Sequence, residues 1–227
     1  RGYSTNAATV KGHNMTKRSM TIAAALLLAF TTSANAEKKK GVALFDGKTL
    51  KGWMNPYSFG KAIVKNKEIV LTGSPKFFLV TKKTYSDFVL DVEVNVPVGG
   101  NSGIQFRSHF EKKNGKTRLW GYQAEVDTSP RKWAGGLYDE GRRAWLVPLK
   151  GNKQAQGAFK NGKWNKYRIE AIGPRIRIWV NGIQTVDTKD KVDASGHIAL
   201  QHHGEKGLTY RFRNIRIREV KSKKKKK

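Results

Sequence analysis

Glu125, Asp127 and His203 are the side chains of this sequence best suited to chemistry, because each can exchange a proton and each can ligate a cation. Their neighbours share an unusual pattern. In segments 103–107, 122–127 and 196–203, polar groups alternate with packing groups. Alternate side chains of a strand point to opposite faces. Gln105 and Arg107 are therefore predicted on one face, as are Gln123, Glu125 and Asp127, and as are Gln201 and His203. The other parity carries Ile104 and Phe106, then Tyr122, Ala124 and Val126, then Ile198, Leu200 and His202. An ordinary outward sheet face carries mostly Lys, Thr, Ser and Glu. One that collects Gln, Arg, Glu, Asp and His reads as the floor of a polar ligand cleft.

The three segments must be strands for this parity to hold, and the rest of the chain agrees. From 41 to 220, short β-rich runs are punctuated by Gly, Asn, Asp and Pro. Strands are predicted at 62–64, 68–71, 77–80, 88–96, 103–107, 122–127, 166–172, 175–180, 183–187, 196–201 and 210–218. Asn181-Gly182, between two alternating runs, is the signature of a two-residue type I′ hairpin. Gly173-Pro174 and the stretch 64–68 also read as turns. No segment of this region has helical periodicity. Many short antiparallel strands describe an all-β sandwich or jelly roll. Segments 128–143 and 150–162 lack clean alternation, and this part of the chain carries Trp133, Tyr138, Asp139, Glu140, Arg142, Arg143 and Trp145. Long irregular stretches in a compact domain are usually functional loops, and these are expected to wall one side of the cleft.

The first 36 residues are expected to stand apart. Met15-Thr-Lys-Arg-Ser-Met20 is basic, 21–30 is apolar, and Ala34-Asn35-Ala36 is a small-x-small pattern that a signal peptidase accepts. Together they predict a secretory signal peptide at 15–36, with export to the periplasm or the extracellular space. The apolar run falls short of the roughly 20 residues a membrane span needs, so no transmembrane span is expected after processing. Residues 1–14 read as an extension upstream of the native start.

Composition narrows the rest. The sequence has no cysteine, which excludes disulfides, thiol nucleophiles and zinc–thiolate sites. With 38% hydrophobic residues, the mature 37–220 region is long enough for one domain with a sizeable core. The formal charge is +28: four positive charges fall in 1–36, which has no acid, six in the lysine-rich 221–227, and +18 remains on the body. The tail is expected to be disordered and to contact polyanions loosely. No helix-turn-helix, zinc-finger or RRM signature accompanies the charge, so no specific nucleic-acid recognition is expected.

Leu44-Phe-Asp-Gly-Lys-Thr-Leu-Lys-Gly-Trp53 resembles the opening signature of the 3-keto-disaccharide hydrolase family. Further matches come in the family's order: Tyr85-Ser-Asp-Phe88, Asn101-Ser-Gly-Ile104, Gly121-Tyr-Gln123, Gly136-Leu-Tyr138 and Trp164-Asn165, then Asn181-Gly182, Gly196-His-Ile-Ala-Leu-Gln201 and Phe212-Arg-Asn-Ile215. The resemblance spans residues 41–220. It implies a concanavalin-A-like jelly-roll sandwich of two antiparallel sheets, with a ligand cleft on the concave sheet. One departure is Gln123, where many members carry Glu; here the carboxylates come later, at Glu125 and Asp127.

The resemblance implies a particular reaction, cleavage of a glycoside already oxidised to a ketone at C3. The ketone acidifies C2–H, a base removes that proton, the enolate expels the C1 substituent, and water adds to the enone. This needs a base, an electrophile at the ketone and a proton donor for the leaving oxygen. His203, in the family's Leu-Gln-x-His position, is the first candidate for the base or a metal ligand. Glu125 and Asp127 could hold a divalent cation with His203, acting as Lewis acid on the ketone. Alternatively, Glu125 pairs with Arg107 across the strands. Tyr138 could protonate the leaving oxygen. Arg107, Asn101, Gln105, Gln123 and Gln201 are candidates for binding substrate, and Asp139, Glu140, Arg142 and Arg143 would bind it or pair with one another. Trp120, Trp133 and Trp145 are stacking candidates, whereas Trp53, Trp164 and Trp179 read as core. His202 reads as structural and His109 as a lesser candidate. No nucleotide cofactor is expected, so the oxidation at C3 falls to a separate glycoside 3-oxidoreductase.

Two other functions fit the same residues. A non-catalytic carbohydrate-binding module on this architecture needs aromatics and hydrogen bonds but no titrating base. A basic polyanion binder would act through the lysine tail. The retaining-glycosidase pattern Glu-x-Asp-x-x-Glu is not completed, because Glu125-Val-Asp127 continues as Thr-Ser-Pro130.

Overall fold

The computed structural model describes residues 1–2 and 41–220; the predicted leader and the lysine tail lie outside the described residues. Fifteen strands succeed one another in that span. They are β1 (Val42–Ala43), β2 (Trp53–Met54), β3 (Lys61–Lys65), β4 (Glu68–Thr72), β5 (Phe77–Tyr85), β6 (Phe88–Asn95), β7 (Asn101–Lys113) and β8 (Lys116–Asp127). After them come β9 (Leu137–Glu140), β10 (Ala144–Val147), the one-turn helix α1 (Lys153–Gln156), β11 (Asn165–Ile172), β12 (Arg175–Val180), β13 (Ile183–Lys189), β14 (Gly196–His202) and β15 (Thr209–Glu219). The first sheet runs β13-β12-β11-β6-β15-β4-β3, with β1 beside β15, and the second runs β10-β9-β8-β7-β14-β5-β2. Neighbouring strands are antiparallel throughout.

Strand parity puts the core between the two sheets. Leu71, Phe88, Leu90, Ile169, Ile178 and Phe212 of the first sheet join Leu79, Ile104, Phe106, Tyr122, Ala124 and Leu200 of the second in one continuous apolar cluster. Burying each large side chain contributes about 1.5–3 kcal/mol, so this cluster outweighs any single polar contact. Trp53 belongs to it as expected, and its indole Nε1 donates to the Leu44 carbonyl at 2.7 Å. Trp164 and Trp179 do not. Both are half-buried, Trp164 just before β11 and beneath Arg211 and Arg213, and Trp179 on β12 beneath Arg177.

The turns obey local chemistry. Asn181 and Gly182 both take positive φ, +50° and +86°, as the two-residue hairpin requires. Asn114-Gly115 closes β7 onto β8 in the same way. Those two strands run further than predicted, and Glu, Lys, Arg and Thr mixed among the apolar residues of their outer ends hid the alternation. The 128–162 region, expected to be irregular, holds β9, β10 and α1. The first two extend the second sheet beyond β8, and no helix among the described residues is long and apolar enough to cross a membrane.

One irregularity reshapes the predicted polar face. Between Phe106 and His109 the β7–β8 register shifts, and Arg107 takes φ +46°. An extra residue in one strand reverses parity past that point. Arg107 is consequently buried, 1% exposed, with its guanidinium donating to the carbonyls of Ser86, Gly173 and Asp193 and to Asp87 at 3.0 Å. It ties three loops at one end of the sandwich and neither binds in the pocket nor pairs with Glu125, contrary to both sequence expectations.

Candidate active site

The outer face of the second sheet gathers the remaining polar residues as parity predicted. Gln105 of β7 stands directly across from Gln123 of β8, and Tyr138 of β9 directly across Gln123 on its other side. Hydrogen bonds then run in one direction. Ser108 Oγ donates to Gln105 Oε1 (2.7 Å), Gln105 Nε2 to Gln123 Oε1 (2.6 Å), and Gln123 Nε2 to Glu125 Oε2 (2.8 Å). Because Gln123 accepts from Gln105, its amide must turn its N–H₂ towards Glu125. Asn101 Nδ2 donates to the other carboxylate oxygen at 2.9 Å. A Glu at 123 would bring a second negative charge here; Gln brings a donor.

Glu125 is the centre of this arrangement. Its backbone is held by Gly135 and Gly136, and its carbonyl accepts from the hydroxyl of Tyr167, which reaches across the core from β11 at 2.9 Å. The side chain is 3% exposed. Burial pushes its carboxyl up to about 7, against the pull of the Gln123 and Asn101 donors. A carboxyl poised there can both take and return a proton near neutral pH.

Around it lies a pocket of about 160 Å³ lined by Lys76, Asn101, Gln123, Glu125, Arg131, Tyr138, Glu140, Trp145 and His203. Glu140 accepts from Lys76 Nζ at 2.7 Å, and Arg131 stands 3.8 Å from Glu125. His203 Nδ1 meets Glu205 Oε1 at 2.8 Å; with a carboxylate as acceptor, Nδ1 carries the proton and Nε2 is the basic atom of the neutral ring. Glu205 is itself anchored by the Tyr210 hydroxyl at 2.5 Å. Burial, reinforced by the charges of Glu140 and Glu125, raises the Tyr138 phenol and keeps it a proton donor. Trp145 packs edge-on against Tyr138 and Trp133, with Arg131 over both indoles. Beneath the pocket Gln201 is fully buried, and its Oε1 is a side-chain acceptor with no hydrogen-bond partner among the described residues.

Several expected site residues lie elsewhere. Asp127 accepts from Ser129 N, Ser129 Oγ and Arg131 Nε, at 2.9, 2.8 and 2.5 Å, and does not line the pocket. The metal set Glu125–Asp127–His203 is therefore not assembled, and among the described residues no three His, Cys, Asp or Glu side chains stand where one ion could be held. Arg142 pairs with Asp139 and Asp193, and Arg143 with Asp139 and Asp190, away from the pocket. Trp120 stacks on His109 beyond the pocket. His202 is buried between Phe77 and Tyr210, a structural place as expected. Sequence reasoning missed Lys76 and Arg131. Nothing local distinguishes them among 45 Lys and Arg residues; only the fold brings them to Glu140 and Glu125.

Fold and site together define a galectin-like β-sandwich with a polar pocket on one sheet. Residues 40–218 match the 3-keto-alpha-glucoside-1,2-lyase-like domain, and the chain belongs to that family. No curated protein matches it. Among solved structures, a candidate glycosyl hydrolase from Parabacteroides distasonis superposes with a TM-score of 0.61 at 18% identity, covering 82% of this chain and 97% of that one. A protein of unknown function with a galectin-like fold from Bacillus subtilis does so at 0.55, 11% identity and coverages of 74% and 89%. The carbohydrate-binding module CBM66 from the same organism gives 0.52, 19% identity and coverages of 73% and 94%.

Proposed function

We propose that this chain is an exported enzyme that cleaves 3-keto-glycosides by proton abstraction at C2, β-elimination at C1 and hydration. The observation that carries the reading is Glu125, a buried carboxyl raised to about 7 at the floor of a pocket big enough for one sugar ring. Glu125 takes the C2 proton, and the C–H electron pair moves into the C2–C3 bond as the ketone oxygen becomes an enolate. Lys76 and Arg131 supply positive charge for that oxygen. The enolate collapses, the C1–O bond breaks, and Tyr138 protonates the departing oxygen. Water then adds at C1 of the enone, with its proton passing to a basic group, and C2 is reprotonated by Glu125. The substrate's ketone must come from a separate oxidoreductase acting at C3, because no nucleotide-binding motif is present in this sequence. Asp127 does not join Glu125 and His203 at the pocket, and the positive charge for the enolate is assigned to the two basic side chains.

The test is incubation of the chain with 3-keto-trehalose in D₂O, beside Glu125→Gln and His203→Ala. Expected are consumption of the substrate and deuterium at C2 of the product. Glu125→Gln should lower kcat by about 10²–10⁴-fold, the usual worth of a positioned general base. The Tyr138–Trp145–Trp133 ring cluster beside the pocket favours a second reading, a carbohydrate-binding module. Absence of turnover and of C2 exchange across 3-keto-glycosides, with unoxidised glycans still bound, would establish that second reading instead.

A further inference from the structure

We infer that the substrate's aglycone is an aromatic ring, seated in a groove that runs from the mouth of the pocket to α1; this rests on the glycoside-cleaving reading. The pocket is small, about 160 Å³. At its mouth lies a depression of about 280 Å³ that shares Asn101 and Arg131 with it. That depression in turn shares Gly99, Asp127, Thr128 and Ser129 with a groove of about 630 Å³. The three adjoin one another through these shared walls, which places the groove where the C1 substituent of a sugar in the pocket could lie.

The chemistry of the groove selects the substituent that can lie there. Val98, Pro130, Ala134 and Phe159 line it, and Gly99 and Gly157 add stretches of bare backbone. Val98 is 69% exposed, one of five large apolar side chains presented to solvent among the described residues. A second sugar needs many free hydrogen-bonding groups, and several of the groove's polar groups are already engaged. Asn161 Nδ2 donates to the Thr128 carbonyl, Gln156 Nε2 to the Arg131 carbonyl, and Thr128 Oγ1 donates to Gly100 O while accepting from Gly99 N. Asp127, the groove's carboxylate, is held by three donors. The same bonds tie the 96–100 loop, the 128–132 loop and α1 together, so the groove is formed before a ligand arrives. Lys160 Nζ donates to the Gly157 carbonyl at 2.8 Å, and the exposed Lys132 can place its ammonium group over the face of a bound ring. An aromatic aglycone matches each of these features. In the reaction its oxygen takes the C1–O electron pair and a proton and leaves as a phenol.

The experiment compares kcat/KM of the whole chain for phenyl and methyl 3-keto-glucoside, in wild type and in Val98→Asp. The phenyl compound should be preferred by about tenfold or more, as expected for an apolar binding site. Val98→Asp should remove most of that preference, by lowering turnover of the phenyl compound far more than of the methyl one. Equal kcat/KM for the two, or a preference that survives Val98→Asp and so reflects leaving-group acidity alone, overturns the inference and leaves the glycoside reading intact. Should neither compound turn over, the glycoside reading fails, and titration with unoxidised phenyl glucoside decides the groove. Saturable binding weakened by Val98→Asp upholds it, and no binding overturns it.

Discussion

Glu125 stores an opposition between burial and function that can be measured as stability. Its folded carboxyl titrates at about 7, against 4.5 for an ordinary glutamate. The native state therefore binds a proton more tightly than the unfolded chain does. Stability from this group is fully present below pH 4.5 and is lost as pH rises through 7. Between those values the protein should lose about 1–3 kcal/mol on account of Glu125. Urea unfolding of wild type and Glu125→Gln at pH 4 and pH 8 tests this: the variant's stability relative to wild type should improve by that amount at the higher pH. A constant difference would mean that Glu125 ionises as a solvated carboxyl does. Glu125 was legible in the sequence because its parity and that of Gln123 are local properties of β8. Its pKa was not, since it depends on β9 and the 128–136 loop covering the sheet.

At the scale of the strand pair, Gly103 explains how Gln123 reaches its place. Gly103 stands opposite Glu125 on β7, and a Cβ there would fall 2.2 Å from the Gln123 side-chain amide. Gly103→Ala should push Gln123 aside and remove a donor that lowers the Glu125 pKa. The rising limb of kcat/KM against pH should then shift to higher pH, with a stability loss of about 1–3 kcal/mol from overpacking. An unshifted limb would show that Gln123 does not tune Glu125. The β7–β8 pair also explains where strand parity misled. Alternation placed Gln105 and Glu125 correctly, and it failed for Arg107 because an inserted residue carries no compositional signature until the partner strand's register is known.

Across the whole molecule, charge separates into two kinds. On the outer face of the first sheet Arg168 pairs with Asp91, Arg175 with Asp187 and Arg213 with Glu93, so part of the body's positive charge is internally paired. The lysine-rich 221–227 segment carries six further positive charges. Deleting it should weaken binding to heparin and flatten the dependence of that binding on salt, while turnover of 3-keto-glycosides persists. Heparin affinity that is unchanged by the deletion would locate the polyanion contact on the sandwich itself.

The sequence alone determined the all-β class, most strand positions, the Asn181-Gly182 hairpin, and the opposed faces of His202 and His203. Each of these arises from interactions between residues close in the chain. The tertiary structure decided which charged groups meet. Arg142 and Arg143 are drawn to Asp193 and Asp190 from the 190–193 turn, and Lys76 is delivered to Glu140 across 64 positions. Ion pairs form with whatever the topology brings within a few ångströms, and sequence spacing does not encode that distance.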